Sequence, residues 1–255
     1  MLIALTRPVS PAIVDCELTH LARTPIDAAR AQAQHEIYEQ RLVEHGCEVI
    51  RLPLEPALPD SVFVEDTAIV VDELAIITRP GALSRRPETV TMAAALREYR
   101  PLAYIAAPGV IDGGDVLRVG RTLFIGLSGR TNENAIAQVA ALLAPYGYDV
   151  RAVPLTGCLH LKTAVTEIAD NTLLLNPAWV DVTAFPGYRL IAVDATEPMA
   201  ANALRLDDKV IYATGFPLTQ ATLQQAGLDS CIVDMSELAK AEGGVTCCSV
   251  IIRGR

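Results

Sequence analysis

The sequence predicts an α/β fold built from five similar units that are stacked or arranged radially about one axis. Four segments share one layout: an apolar strand with polar residues near its start or middle, a tight turn, a second apolar strand and a loop. They are residues 61–80, 109–132, 158–177 and 199–217. Helical patterns separate most of them. The layout recurs about every 45 to 50 residues, a period typical of repeat architectures.

The turns inside these segments have the composition of β-hairpins. They are VDEL at 71–74, VGRT at 119–122, ADNT at 169–172 and LDDK at 206–209, all rich in polar, Gly, Asn or Asp residues. The stretch GGVTCCSVIIRGR at 243–255 begins in the same way. We therefore expect it to be a fifth, truncated unit.

Helices are predicted between the hairpins, and the connection after the third hairpin is less clearly helical. The predicted helices cover 28–45, 88–99, 132–146 and 218–226. The repeating element order predicts a single domain over residues 1–255.

Composition excludes several classes of protein. A hydrophobic content of 51% in 255 residues fills a sizeable core, and a net charge of -9 disfavours binding to nucleic acid. The uncharged stretch 134–148 is too short for a membrane span and is broken by Pro145 and Gly147. The first residues offer too few apolar side chains before Arg7 for a signal peptide. We expect a cytoplasmic protein with no membrane partner.

The cysteines predict free thiols. Six are scattered through the chain with no C-x-x-C pair, so neither a zinc site nor a disulfide framework is indicated. Motifs for dinucleotides, phosphate loops, zinc proteases and the serine nucleophile elbow are missing as well. The sequence predicts no cofactor and no metal.

Polar residues stand at equivalent places in the five units. They are Glu65 with Asp66, Asp112 with Asp115, His160, Asn202 and Cys247. If the units surround one axis, these side chains converge. Acids, a histidine and a cysteine together form a constellation for nucleophilic catalysis, because a thiol needs a proton acceptor and an imidazole needs a carboxylate to orient it.

Each of these residues also has a structural interpretation when it is taken alone. A single histidine or cysteine is more often a core residue, and Asp112 with its neighbours could form a simple turn. The adjacent pair Cys247 and Cys248 is expected to lie in a strand, where neighbouring side chains point to opposite faces. We therefore predict that Cys247 faces a central site and that Cys248 belongs to the core.

Seven motifs, in order, carry a family resemblance. They are PDSVFVEDTAIV, ITRPGALSRRPE, IDGGDVL, GLSGRTN, LHLKT, AAN and GGVTCCSV. Together they resemble the dimethylarginine dimethylaminohydrolase family of the guanidino-group-modifying superfamily, over the chain from about Val14 onward. The resemblance implies a five-bladed α/β propeller, or pentein, of ββαβ units.

The resemblance also implies a chemistry. Cys247 would attack the guanidinium carbon of a methylated arginine, and His160 would protonate the departing amine and then activate water against the covalent thiouronium. Asp112 would orient the histidine, although some relatives have Glu there. Citrulline and dimethylamine or methylamine would be the products, and no metal would be needed.

The resemblance further implies a set of substrate-binding residues. One acid would hold the guanidinium, two acids would line the pocket, two arginines would bind the substrate carboxylate, and a loop residue would close over the site. In that order they are Asp66, Asp60 and Glu65, Arg85 and Arg130, and Leu18.

Two alternatives remain open at this point. The chain could be an arginine deiminase or another substituted-guanidine hydrolase with the same residues, or a catalytically silent protein that binds an arginine analogue. The small-molecule substrate is the expected partner, and the protein could be a monomer or a homodimer.

Overall fold

Fifteen strands form the framework in the computed structural model, which describes residues 1–254. Arg255, the last residue of the predicted fifth unit, lies outside the described residues. The strands are β1 Leu2–Thr6, β2 Cys47–Arg51, β3 Ala68–Val70, β4 Ala75–Ile77, β5 Leu102–Tyr104, β6 Val116–Val119, β7 Thr122–Leu127, β8 Asp149–Pro154, β9 Val165–Ala169, β10 Thr172–Leu175, β11 Arg189–Ala192, β12 Ala203–Leu206, β13 Lys209–Ala213, β14 Cys231–Val233 and β15 Val250–Arg253.

The strands form five three-stranded sheets of one design. In each sheet the first and second strands pair antiparallel, and the second and third pair parallel, as in β6, β7 and β8. The fifth sheet has the order β15-β1-β2 and so joins both ends of the described chain. The predicted arrangement of five units is confirmed, with the truncated fifth unit completed by the first two strands.

Helices connect the second and third strands of four units. They are α1 Ala28–Glu44, α2 Thr89–Leu96, α3 Glu133–Leu143 and α5 Pro217–Gln225; the short α4 Leu161–Ala164 and α6 Ser236–Ala239 lie elsewhere. The weakly helical third connection contains only the short 3-10 segment Val182–Ala184. No helix within residues 1–254 is both long enough and apolar enough to cross a membrane.

Three hairpin turns explain their own composition. Gly120, Asn171 and Asp207 have φ values of 58°, 51° and 54°. Glycine, asparagine and aspartate tolerate this left-handed conformation better than other residues do. The turn residues that predicted the hairpins are therefore the ones that the backbone requires.

Tight turns lead into the first strand of every unit, at 64–67, 113–115, 161–164, 198–201 and 245–248, and we call them the entry turns. The polar residues at matched repeat positions lie in or beside these turns. The expectation that Cys247 and Cys248 lie in a strand is wrong, because both belong to the last entry turn, ahead of β15. Irregular backbone at this point lets polar groups face inward without interrupting a sheet.

Hydrogen bonds join the entry turns in a closed ring. Each bond links one unit to the next: Gly114 N to Asp66 Oδ1 at 2.9 Å, Leu161 N to Asp115 Oδ1 at 2.9 Å, Asn202 Nδ2 to Lys162 O at 3.0 Å, Thr246 N to Asn202 Oδ1 at 3.2 Å and Glu65 N to Cys247 O at 3.1 Å. The fifth bond connects the last unit to the first. The ring fixes the five turns relative to one another.

A central cavity of about 220 Å³ lies among the first strands of all five units. Glu65, Lys162 and Thr246 line it, whereas their neighbours Asp66 and Cys247 line a different and smaller cavity. The entry turns therefore separate two compartments.

Candidate active site

Six of the predicted site residues line one small cavity among the entry turns and nearby loops. They are Asp60, Asp66, Arg85, Arg130, His160 and Cys247. Its volume is about 20 Å³, which is enough for only about one or two water molecules. An arginine-sized ligand can enter only if part of the wall moves.

Cys247 is half-buried and presents its sulfur to this cavity. The backbone N–H of Gly244 donates to Sγ at 3.3 Å, and the Thr246 hydroxyl lies 4.0 Å from it. Burial, together with the negative charges of Glu65 and Asp66, raises the pKa of the thiol to about 12. Without a cation beside it, Cys247 is therefore a protonated thiol at neutral pH.

Cys248 has the opposite environment. It is fully buried and belongs to the core cluster beneath α1. The predicted division between the two cysteines is thus confirmed for their burial, although a turn rather than strand alternation produces it.

His160 lies at the start of α4 between two carboxylates. Its Nε2 is 3.1 Å from Asp112 Oδ2, and its Nδ1 is 3.9 Å from Asp66 Oδ1. Burial disfavours the charged imidazolium, but Asp66, Asp112 and Asp115 together outweigh it and raise the pKa of His160 to about 9. At neutral pH the ring is therefore the positively charged imidazolium, with both nitrogens protonated.

Asp112 makes the contact with His160 that the resemblance implied for it. Its fully buried carboxylate accepts a hydrogen bond from the Gly81 N–H at 2.9 Å through one oxygen and reaches His160 with the other. The shorter aspartate therefore spans the distance, because the backbone brings it close enough.

Asp66 is held by Arg85, which is itself buried. The Arg85 guanidinium contacts Asp66 and donates to Glu88 at 2.8 and 3.2 Å and to the Phe63 carbonyl at 2.9 Å. Burial opposes ionisation of Asp66, but the charges of His160 and Arg85 prevail and lower its pKa to about 2. Arg85 lines the cavity while most of its donors serve protein acceptors, so its contact with a substrate carboxylate stays a prediction.

Glu65 has its carboxylate outside the small cavity, so its contact with a substrate stays a prediction. The resemblance implied that it lines the substrate pocket, but its carboxylate contacts Lys162 and accepts from the Thr246 hydroxyl at 2.8 Å. It lines the central cavity and not the small one. The reason is the entry turn 64–67, which directs adjacent side chains to different sides.

The segment around Leu18 covers the small cavity. Leu18 itself packs partly buried against the core cluster under α1, while its neighbour Glu17 lines the cavity. The Glu17 N–H donates to the Asp60 carboxylate at 3.1 Å, and Arg130 donates to the Thr19 hydroxyl at 3.0 Å. Predicted substrate-binding side chains thus hold this segment in place.

Glu242 fastens the same segment from the other side. Its carboxylate accepts from the backbone N–H groups of residues 19, 20 and 21 at 2.9, 2.5 and 2.8 Å. The backbone of Glu242 is left-handed, with φ of 60°. A strained residue therefore lies just ahead of the last entry turn, residues 245–248, and ties the covering segment to it. We call this turn the nucleophile turn, because it contains the predicted nucleophile Cys247.

Sequence reasoning assigned no role to several residues at or near this site. Asp115 and Asn202 stood at matched repeat positions, which was a usable signal, and Asp115 accepts from the Ser128 and Thr131 hydroxyls at 2.6 Å. Lys162 and Glu242 gave no signal, because their partners lie 97 and more than 200 residues away.

One group of side chains within residues 1–254 has metal-like spacing. Asp66, Asp112 and His160 have potential ligand atoms within 4.8 Å of one another. Arg85 and the imidazolium already balance the two carboxylates. The arrangement of a thiol, a protonated imidazole and buried carboxylates around one cavity defines a cysteine hydrolase suited to a cationic substrate group.

Comparisons with known proteins narrow this class. The family model described as "Arginine deiminase" matches residues 53–199. The chain is 37% identical to the N(G),N(G)-dimethylarginine dimethylaminohydrolase of Streptomyces coelicolor, over 98% of this chain and 96% of that protein. It is 36% identical to the Pseudomonas aeruginosa enzyme of the same name, over 91% of each chain.

A solved structure of that Pseudomonas aeruginosa enzyme, a Cys-to-Ser variant complexed with citrulline, superimposes with a TM-score of 0.92. The two chains are 35% identical, and the match covers 98% of each. The chain belongs to the dimethylarginine dimethylaminohydrolase family, and its fold is the five-bladed α/β propeller that the resemblance implied.

Proposed function

We propose that this protein hydrolyses N-methylated arginines, asymmetric dimethylarginine and monomethylarginine, to citrulline and dimethylamine or methylamine. The observation that carries this proposal is the convergence of Cys247, His160 and Asp66 on one cavity, in a chain that shares 37% identity with a relative of that name. The relatives' structures with citrulline and with an S-methyl-L-thiocitrulline adduct support the choice of substrate class.

Substrate binding supplies the missing positive charge. The Asp66 carboxylate, with its pKa lowered to about 2, is ionised and faces the cavity, where it can bind a guanidinium by charge-assisted hydrogen bonds. Burial and the nearby carboxylates raise the thiol pKa of Cys247 to about 12, and a cation held beside Sγ lowers it by stabilising the thiolate. Because His160 is already protonated, the thiol proton passes to water as the substrate binds, and the attacking thiolate forms.

His160 then moves two protons in opposite directions. Because its pKa is about 9, it holds a proton at neutral pH and can donate it to the departing amine as the C–N bond breaks. The neutral ring next removes a proton from the water that attacks the thiouronium carbon. Collapse of that adduct releases citrulline and returns the sulfur, and Asp112 keeps the ring oriented throughout.

The remaining predicted residues are proposed to hold the amino-acid end of the substrate. The Arg130 guanidinium donates to the Thr19 hydroxyl and lines the cavity, where it is suited to binding a carboxylate. Arg85 lines the same cavity and would assist it. Asp60 and the backbone near Leu18 are suited to the ammonium group. We further propose a cytoplasmic monomer or homodimer that binds neither nucleic acid nor membranes, since the net charge is -9 and the nucleophile needs a reducing compartment.

The test measures citrulline produced from arginine, monomethylarginine and asymmetric dimethylarginine by the purified protein. We expect turnover of the methylated substrates, its loss in Cys247→Ala, and its retention in the matched Cys248→Ala variant. Acid quenching followed by mass spectrometry should locate the thiouronium on Cys247. An adduct on Cys248 would reverse the assignment of the two cysteines.

Arginine deimination is the second candidate, because the matching family model bears that description. The same residues would then release ammonia from unmethylated arginine. Preferential turnover of arginine in the assay above would establish this activity instead. Binding of all three amino acids without citrulline would identify a silent arginine-analogue binder.

A further inference from the structure

The face of the nucleophile turn opposite the candidate active site carries an ion pair to which the mechanism assigns no role. Glu65 contacts the Lys162 ammonium with one carboxylate oxygen and accepts from the Thr246 hydroxyl, at 2.8 Å, with the other. Both charged side chains are largely buried, with side-chain exposures of 12% and 16%. Thr246 directly precedes Cys247, so this contact reaches the residue beside the nucleophile.

The hydrogen bonds of Thr246 show what Glu65 does mechanically. Its hydroxyl donates to Glu65 and accepts from Asn202 Nδ2 at 3.0 Å, and its N–H donates to Asn202 Oδ1 at 3.2 Å. The side chain is therefore fixed in one rotamer, 4.0 Å from the sulfur of Cys247. Loss of the Glu65 acceptor would leave a buried hydroxyl with an unsatisfied donor, which proteins generally avoid.

The same carboxylate is also an electrostatic liability. A negative charge next to the nucleophile disfavours the thiolate, and Asp66 already contributes one such charge that the substrate must offset. A second uncompensated carboxylate would add to this penalty. Lys162 lies on the far side of Glu65 and supplies the balancing charge.

We propose that Lys162 and Glu65 form a charge-neutral positioning pair for Cys247, in which Glu65 anchors Thr246 and Lys162 cancels the negative charge that this anchor brings. The proposal rests on the proposed function only in taking Cys247 as the nucleophile. Both residues act through Thr246 and through the local field, and neither touches the substrate cavity. The effects of the two charges on the thiol pKa of Cys247 are opposite: Glu65 raises this pKa and Lys162 lowers it.

Other charged groups face the sulfur as well and stay unchanged in the test. Those that line its cavity are Glu17, Asp60, Asp66, Arg85, Arg130, His160 and Glu242, and Tyr38 and Cys248 lie behind the turn. Because they are common to all variants, a difference between variants reports the pair alone.

The experiment measures the rate at which iodoacetamide alkylates Cys247 at pH 8 without substrate, with tandem mass spectrometry distinguishing the adjacent thiols. Below the pKa, the alkylation rate follows the thiolate fraction, and one pKa unit changes that fraction about tenfold. We expect Lys162→Met to be about tenfold slower than wild type and Glu65→Gln, which keeps an acceptor for Thr246, about tenfold faster. The double variant should return to within about twofold of wild type.

Two control variants separate charge from structure. Lys162→Arg keeps the charge and should alkylate at the wild-type rate. Arg118→Met removes a cation that also lines the central cavity but pairs with Asp72, and it should not change the rate. If Lys162→Met does not fold, slower alkylation of Glu65→Gln than of wild type still overturns the proposal.

A double variant slower than either single variant would show that the pair is merely structural and would overturn the proposal, as would a wild-type rate for folded Lys162→Met. Alkylation uses no substrate, so failure of the pair to behave as expected is distinguishable from failure to hydrolyse methylarginines.

Discussion

Gly114 lies where a side chain would disturb the candidate site directly. A Cβ at this position would be 2.6 Å from His160 Nδ1 and 2.8 Å from Asp66 Oδ1. Ordinary contacts begin at 3.4 Å, so in Gly114→Ala the imidazole must move by about 0.8 Å. A displacement near 1 Å at a reacting group costs about a hundredfold in rate, and we expect kcat/KM for asymmetric dimethylarginine to fall by that factor.

The assay is citrulline formation at several substrate concentrations, paired with thermal unfolding. The matched control is Gly120→Ala in the β6–β7 turn, where no atom lies within 4 Å but φ is +58°. That variant should lose about 1 kcal/mol of stability, the cost of left-handed backbone for alanine, and keep its kcat/KM. If Gly114→Ala retained activity within threefold of wild type, the crowding at His160 would not matter for catalysis.

Three further predictions follow from the geometry around the nucleophile turn. Since His160 must carry a proton and its pKa is about 9, kcat/KM should decline above that pH, and Asp112→Asn should move the decline to lower pH; a decline at the same pH in both proteins would contradict the role of Asp112. Tyr38→Phe removes two buried hydrogen bonds at 2.8 Å, to the first residue of the turn, Val245, and to Ser249, which follows the turn. It should lower the free energy of unfolding by about 1–3 kcal/mol, measured in urea; an unchanged value would show that these bonds do not stabilise the fold. Glu242→Ala should speed hydrogen exchange of the amides at 19–21 about ten- to hundredfold, as charge-assisted bonds are lost, and unchanged exchange would mean that Glu242 does not restrain this segment.

The fold was predictable because its signals are local. Hairpin turns need Gly, Asn or Asp where φ is positive, and Gly120, Asn171 and Asp207 at such positions made the hairpins predictable. The period of the units then predicted the radial arrangement. The sequence could not show that strands from the two ends of the chain pair in one sheet. Neither β1 nor β15 contains a residue pattern that specifies the other as its partner.

The site was predictable only in part, for a related reason. Residues at equivalent positions converge once the units are radial, which placed His160 and Cys247 correctly at one cavity. Which way each side chain points depends on the entry turns, and Glu65, which the resemblance placed at the substrate pocket, lines the central cavity instead of the small one. Long-range partners such as Lys162 and Glu242 are defined only by three-dimensional packing.

Because the ring of hydrogen bonds runs through all five entry turns, the catalytic residues are held in place only when all five units have folded. Thr246 meets Glu65 across 181 residues of chain, and the fifth sheet must recruit β1 and β2 before the last turn is supported. Closing so long a loop costs entropy that local contacts do not repay. A partly folded chain with only three or four units formed therefore contains complete blades, but its nucleophile turn is not yet held in place. Enzymatic activity and native-state fluorescence should therefore be lost at the same denaturant concentration. The activity assay then reports whether the whole fold unfolds cooperatively.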